Sequence, residues 1–497
     1  MAAPGGNARR RFLRMSTAAT GVAALGLHMP WATSWAMGGG PPSGRVVIIG
    51  AGMAGLAAAW ELEAAGHQVE ILEARDRVGG RVHTLRDPFS GDLHAESGAV
   101  AFSGTYIHAN RYIDALGLKR AEWVIPDLKP LYHLRGQRVV LDADHPNPWP
   151  YDLTLEEGQL GPLGIVDRYI VQHLPEGFQD ETRWQDPDLL ALDELTLAQF
   201  MRRNGASTEA VELIADTQWF GSFVHSGSML ASAMSNFGLF GGAVPFLLAG
   251  GNDRLPQAMA GQLSAGIHFG HEVVAIEQNE SGARVRARKD GEPVTFDCDQ
   301  VICTAPAQVV RHFDFSPALP PAQRAAMEGI DFADTLRTYF EVDRAFWFDE
   351  GVTGTAMTDL SIKEVAAQPY SQARGPQRPV VLESHIRGAG SREIAESGDG
   401  LLEDVLTQME KVHPKVREHA GEGLYRHWGS DPFARGAYSV PAPGQITRYL
   451  TRLGQAHGRI HFAGEHTSIL SATIEGALRS GARAAAEVVS ALNNKMA

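Results

Sequence analysis

Apolar residues fall along the chain in distinct patterns. Arg45-Val46-Val47-Ile48-Ile49 is a short run of β-branched residues, the pattern of a strand buried on both faces. Met53–Ala65, rich in Ala and Leu, predicts a helix and Gln68–Leu72 the next strand, so this stretch reads as a βαβ unit. From about Ala109 to Gly241 longer helical stretches take over, with scattered Trp and Pro. Strand patterning returns at His271–Ile276, Arg284–Ala287, Val294–Phe296 and Gln300–Cys303. A mixed region covers about 331–427, and a strand at Arg459–Phe462 and a helix at Thr473–Leu492 close the chain. The expected fold is α/β. A Rossmann-type dinucleotide-binding domain is assembled from three separated pieces, 45–108, 245–330 and 428–495. An α+β domain made of 109–244 and 331–427 is interleaved between them.

Ahead of this lies an address rather than a fold. Arg9-Arg10-Arg11-Phe12-Leu13-Arg14 fits a twin-arginine signal, and Ser16–Leu27 is a weakly apolar stretch too short to span a bilayer. Ser34-Trp35-Ala36 supplies small residues for cleavage, so 1–36 is expected to be a signal peptide and 37–44 a Gly/Pro linker. The twin-arginine (Tat) export machinery is then a partner, and the product is periplasmic or secreted. The whole chain of 497 residues carries 44 basic and 58 acidic side chains, a net charge of −14; without residues 1–36, which hold four arginines and no acid, it is −18. That balance argues against nucleic acid as a partner. The two cysteines, Cys298 and Cys303, sit in what reads as one strand and would point to opposite faces, too far apart in direction for a bridge. They form no Cys-x-x-Cys pair, and no metal site is expected.

The strongest chemical signal comes after the first strand. Gly50-Ala51-Gly52-Met53-Ala54-Gly55 opens a helix, where glycines admit a pyrophosphate to the backbone and the helix N-terminus attracts its charge. Glu73 ends the second strand eighteen residues after Gly55, where a carboxylate can accept hydrogen bonds from ribose hydroxyls. The continuation, Glu73-Ala74-Arg75-Asp76-Arg77-Val78-Gly79-Gly80-Arg81, adds another close backbone approach and two arginines suited to phosphate.

With that continuation the chain resembles the two-dinucleotide-fold flavoproteins, and within them the flavin amine oxidases. The resemblance extends through Gly250-Gly251-Asn252-Asp253-Arg254-Leu255-Pro256, Val273–Ile276, Val301–Pro306, Trp428–Ser439, and Phe462-Ala463-Gly464-Glu465-His466-Thr467 with Ala472–Ala477. It implies FAD as cofactor, held by Gly50, Gly52, Met53, Ala54, Gly55, Glu73, Ala74, Arg75, Gly80 and Arg81. Gly98, Ala99, Val100, Val273, Gly464, Glu465, Thr473 and Ile474 complete the set. Glu73 would meet the adenosine ribose, Arg75 and Arg81 the diphosphate, and Glu465 the ribityl or diphosphate end. The helix from Thr473 would aim its N-terminus at the flavin pyrimidine. Ala437 stands where monoamine oxidases carry an FAD-bonded cysteine, which implies a noncovalent flavin.

The resemblance also frames the substrate end. Gly98–Phe102 and Tyr151–Gly158 look like L-amino-acid oxidase segments, but Ala101 replaces the arginine that forks the substrate carboxylate in those enzymes. The Gly464–Thr467 segment looks more like polyamine oxidases. Arg337 stands where the family has a flavin-proximal lysine; an arginine there offers a carboxylate a planar fork, or it simply alternates outward on a strand. Trp428 and Tyr438 are expected to wall the pocket, with Thr473 replacing a second aromatic wall; Trp219, Phe220 and Phe223 line the entrance or belong to the core. The implied reaction is oxidation of the C–N bond of a small amine or L-amino acid to an imine that hydrolyses to a carbonyl. Electrons then pass to O2, giving H2O2, or to a periplasmic carrier. The alternative is a flavin dehydrogenase or desaturase acting on C–C or C–O bonds. The oligomeric state stays open between monomer and homodimer.

Overall fold

The computed structural model describes residues 44–493 apart from 122, 124, 125, 143–148, 242, 243 and 373. The expected signal peptide and most of the linker lie outside the described residues. Arg45–Ile49 stands in the middle of a five-stranded parallel sheet. Across it the order is Gly266–His268, Gln68–Leu72, Arg45–Ile49, Gln300–Cys303 and Ile460–Phe462. Numbered along the chain this is 3-2-1-4-5, an order whose reversal opens a crevice beyond the carboxyl ends of the strands. The first strand is apolar throughout because both its faces are covered. Val46 and Ile48 pack into a core with the helices Met53–Ala64 and Ile474–Asn493, while Val47 and Ile49 pack into a second core with Ile276 and Val285.

Ile276 and Val285 belong to a four-stranded sheet ordered Glu292–Cys298, Ala283–Lys289, Glu272–Gln278, Asp314–Ser316. Here one expectation is corrected. Cys298 ends one strand and Cys303 ends another, Gln300–Cys303, so the chain changes sheets at Asp299. The Asp299 carboxylate accepts from the Arg45 N–H, and its own N–H donates to the Arg45 carbonyl, pinning the turn. Both thiols therefore enter the same core rather than opposite faces; both are free, and burial pushes each up to about 12.

The third sheet has seven strands, ordered Ala420–His427, Thr335–Val342, Val380–Arg387, Glu364–Ala367, Val352–Thr358, Lys129–Leu134 and Gln137–Val140. Its last two strands form a hairpin inside the stretch read as helical, a second correction. The turn signal is Arg135-Gly136, both of which adopt left-handed backbone here, φ 48° and 75°. Helices do occur beyond it, and their starts are chemically marked: Thr154 with Glu157, and Thr196 with Gln199, form capping boxes. Among the described residues no helix is long and apolar enough to cross a membrane.

The register of the seven-stranded sheet gathers polar side chains that are distant in sequence. Antiparallel pairing sets Thr335 opposite Arg387, Arg337 opposite His385 and Tyr339 opposite Glu383. Because side chains alternate along a strand, these six share one face, and Glu364, one residue before the partner of Ser384, joins them from the next strand.

Candidate active site

A cavity of about 930 Å³ joins the crevice of the parallel sheet to that polar face. At the sheet end, the backbone of Gly50 turns with φ 100°, and a Cβ on Gly55 would collide with the Gly50 carbonyl oxygen. Glycine here lets the helix Met53–Ala64 begin directly against the strand end, with its unpaired N–H groups facing the cavity. The turn at Gly79-Gly80 bridges to Gly52, and Gly98 lies so close to the Arg81 carbonyl oxygen that no side chain fits there. Glu73 is buried beside this turn, its carboxylate accepting from the Ala51 N–H at 2.8 Å and the Arg75 N–H at 2.9 Å.

The basic residues of this region are held rather than loose. Arg75 pairs with Asp431 at 2.5 Å and lies over the Phe433 ring; Arg426 pairs with the same carboxylate. Arg81 donates to the Ala437 carbonyl and to Glu465, both at 2.9 Å. Glu465 in turn accepts from the Ser439 hydroxyl at 2.6 Å, the Ser439 N–H at 3.2 Å and the Ala472 N–H at 2.9 Å. Burial alone would raise its pKa, but Arg81, His466, Ser439 and the Ala472 N–H outweigh burial and hold it below the usual carboxylate range. Glu465 also lines the cavity, with its oxygens engaged by Arg81, Ser439 and Ala472. Thr473 caps the closing helix: its hydroxyl accepts from the Gly476 N–H at 2.9 Å and donates to the Leu470 carbonyl at 2.7 Å. Thr473 and Ile474 present this helix N-terminus to the cavity.

These parts fit the adenine dinucleotide of a flavin: a glycine-formed anion cradle, a buried carboxylate beside it, two anchored arginines and a second helix N-terminus. Gly50, Gly52, Met53, Ala54, Ala74, Gly80, Ala99, Val100, Val273 and Gly464 line the same cavity, whereas Gly55 stands behind the turn as packing. Among the described residues no group of three potential metal ligands gathers; His457 and His461, four apart, turn to the Pro317 carbonyl and to Glu487.

At the far end Trp428 is buried, its indole N–H donating to the Ser97 carbonyl at 2.6 Å, with Arg426 over its ring at 4.7 Å. Tyr438 meets Phe223 edge-on at 6.1 Å, and burial pushes its hydroxyl pKa up. Trp219, Phe220 and Phe223 all line the cavity, Trp219 with 44% of its surface exposed at the mouth. Ala101 lines it too.

Arg337 lines the cavity but has no fork to offer. Nη1 donates to the carbonyls of Glu96 at 2.6 Å and Gly98 at 3.1 Å, and Nη2 pairs with Glu383 at 2.7 Å. It is a clamp between the seven-stranded sheet and the Glu96–Gly98 segment beside the Gly80 turn. Sequence reasoning does not single out Glu364, Glu383, His385 and Arg387, which the sheet register brings to the cavity wall. A signal exists: Glu383, His385 and Arg387 recur at every second position of Val380–Arg387, a strand that is buried throughout. Burial pushes the Glu96 carboxyl up to about 8, so it is mostly neutral at pH 7. Burial, then Arg387 and Arg337, holds His385 far below the usual imidazole range, so it too is neutral.

Comparison with known proteins agrees with this geometry. The family described as flavin containing amine oxidoreductase matches residues 53–489. An L-amino-acid oxidase of Siganus canaliculatus is 27% identical over 462 residues, 90% of this chain and 85% of that protein. One of Demansia vestigiata is 27% identical over 456 residues, 89% and 86% respectively. A triple mutant of putrescine oxidase superposes with a TM-score of 0.76 at 25% identity, covering 90% of this chain and 99% of that one. Cyclohexylamine oxidase from Brevibacterium oxydans IH-35A superposes at 0.72 and 21%, covering 91% and 100%.

Replacing Glu73 removes the buried carboxylate beside the Gly50 turn. Glu73→Ala is expected to weaken FAD binding by about 1.5–3 kcal/mol, the scale for losing hydrogen bonds to a charged group. Titration of the stripped protein with FAD, followed by flavin fluorescence, measures this; an unchanged Kd contradicts the assignment.

Proposed function

The chain belongs to the flavin-containing amine oxidoreductases, and we propose how its own residues serve their reaction. It is an FAD-dependent enzyme that oxidises the C–N bond of an amine or amino acid. FAD, held by the Gly50 turn, Glu73 and Arg81, would supply the redox chemistry: a hydride equivalent (two electrons and one proton) from the carbon that bears nitrogen and a proton from the nitrogen would leave the substrate, and O2 would take up two electrons and two protons as H2O2. The C–N bond becomes C=N, and water then converts the imine to a carbonyl product and ammonia or a smaller amine.

The observation that carries the assignment of roles is that one cavity contains both the Gly50–Glu73–Arg81 cradle and the Trp428–Tyr438 wall. Trp428 and Tyr438 orient the substrate and exclude water; an aromatic face accommodates an amine at little desolvation cost. Glu73 takes the ribose. Arg81, fixed by Glu465, would take the diphosphate, and the helix N-terminus at Thr473-Ile474 would offer its N–H groups to the flavin ring. Arg337 keeps the Glu96–Gly98 segment against the sheet and so holds Ala99 and Val100 at the cavity wall. With Ala437 at the cavity and both cysteines buried in another core, the flavin is held without a covalent bond. The pieces 45–108, 245–330 and 428–495 make the FAD domain, and 109–244 with 331–427 make the substrate domain.

Anaerobic mixing with a panel of amines, α-amino acids and sterol-like alcohols tests this. Loss of visible flavin absorbance with at least one amine or amino acid, and with none of the alcohols, is the expected result. Bleaching by alcohols alone would transfer the chemistry to C–O bonds.

We also propose export by the Tat route, which carries proteins already folded and so suits a cofactor bound before export. Arg9-Arg10 and the stretch to Ala36 support this. Arg9→Lys with Arg10→Lys should leave flavin-loaded enzyme in the cytoplasm; undiminished periplasmic activity would contradict it.

A further inference from the structure

With alanine at 101 and the fork of Arg337 closed, Arg387 is the cation that stays open on the polar wall of the cavity, among the described residues. It has 7% of its surface exposed and lines the cavity. Its Nη2 is spent on Glu364 at 3.0 Å and on His385 Nδ1 at 2.5 Å. Apart from the neighbouring Tyr438 hydroxyl, no described residue offers an acceptor to Nε or Nη1, although a guanidinium carries five N–H donors. These N–H groups are not sealed in the core, so they are left for a ligand that brings oxygens into the cavity. We infer that Arg387 is the specificity-determining cation that receives a substrate carboxylate, in place of the arginine missing at Ala101. This rests on the oxidase function proposed above.

Three features support an anion there rather than a second ammonium. Each carboxylate of the wall already faces an arginine, Glu383 beside Arg337 and Glu364 beside Arg387, and burial pushes the Glu383 pKa up, so the wall offers little negative charge to a second cation. Glu96, the acid behind it, is mostly neutral at pH 7 because it is buried. Neutral His385 accepts from Arg387 through Nδ1 and, with Glu364, fixes the plane of the guanidinium, so little side-chain freedom remains to be lost on binding. The rest of the substrate is defined by what adjoins this cation. Tyr438 is within the electrostatic and hydrogen-bonding reach of Arg387, and its ring meets Phe223, which leads to Phe220 and Trp219 at the mouth. A carboxylate at Arg387 and a bulky apolar group among these rings describe an α-amino acid with an aromatic or large aliphatic side chain.

L-Phenylalanine and 2-phenylethylamine differ only by the carboxylate and test this as a pair on the FAD-loaded enzyme. The wild type should prefer phenylalanine. In Arg387→Met the ratio of kcat/KM for phenylalanine over phenylethylamine should fall by about tenfold to a hundredfold. 3-Phenylpropanoate, which has the carboxylate and no amine, should perturb the wild-type flavin spectrum and lose affinity in the variant by a similar factor. If Arg387→Met does not fold, Arg387→Lys keeps the charge without the planar fork and should raise KM for phenylalanine more than it lowers kcat. An unchanged ratio in the variant, equal losses on both substrates, or a wild type that oxidises phenylethylamine and ignores phenylalanine would overturn the inference. An enzyme whose flavin no amine or amino acid reduces would instead sink the oxidase function, and the phenylpropanoate titration would still decide whether Arg387 binds carboxylates.

Discussion

The buried carboxylate of Glu465 is the interaction on which the architecture of the site depends. Its two oxygens gather Arg81 from the first dinucleotide-binding segment, Ser439 from the segment after the seven-stranded sheet, and Ala472 from the turn into the closing helix. Residues as far apart as 81 and 465 along the chain meet there. A carboxylate taken out of water is stable only if such donors compensate it, and here they do so well enough to lower its pKa despite burial. In consequence Arg81 can serve a phosphate without collapsing onto another acid, and the helix beginning at Ile474 is aimed rather than merely packed.

The polar face of the seven-stranded sheet solves a similar problem at the substrate end. Two arginines, two glutamates and a histidine share one buried wall, and each arginine is paired with one glutamate. The two pairs differ in what they leave over. Arg337 donates into backbone carbonyls and becomes part of the frame; Arg387 keeps donors turned to the cavity. Frame and recognition are thereby divided between two residues that sit on neighbouring strands, one pair of positions apart in register.

How much of this is legible in the sequence depends on the range of each interaction. The Gly50–Gly55 turn, Glu73 and the closing Gly464-Glu465 segment are local signatures, each carrying its chemistry within a short stretch of chain, so the parallel sheet and the cofactor can be read directly. Arg337 stands out by its place, but its partners, the Glu96 and Gly98 carbonyls and Glu383, are 239 to 241 and 46 residues away. Only the folded register shows that its fork is filled. Arg387, His385 and Glu364 escape a linear reading for the same reason: the pattern of Val380–Arg387 marks a strand, but what these side chains meet is set by antiparallel pairing across three strands. The hairpin Lys129–Val140 is masked by helical surroundings, and the two cysteines mislead because one residue, Asp299, carries the chain from one sheet to another.

If Glu465 organises the flavin end, changing its charge while keeping its shape should show it most directly. Glu465→Gln removes the charge that meets Arg81 and replaces one oxygen with a donor, which opposes either Arg81 at Oε1 or Ser439 and Ala472 at Oε2. The variant should retain its secondary structure by circular dichroism, while the stripped protein binds FAD about tenfold to a hundredfold more weakly than wild type in a flavin-fluorescence titration. Wild-type affinity in a folded Glu465→Gln protein would contradict the account, because the flavin end of the cavity would then be ordered without this carboxylate.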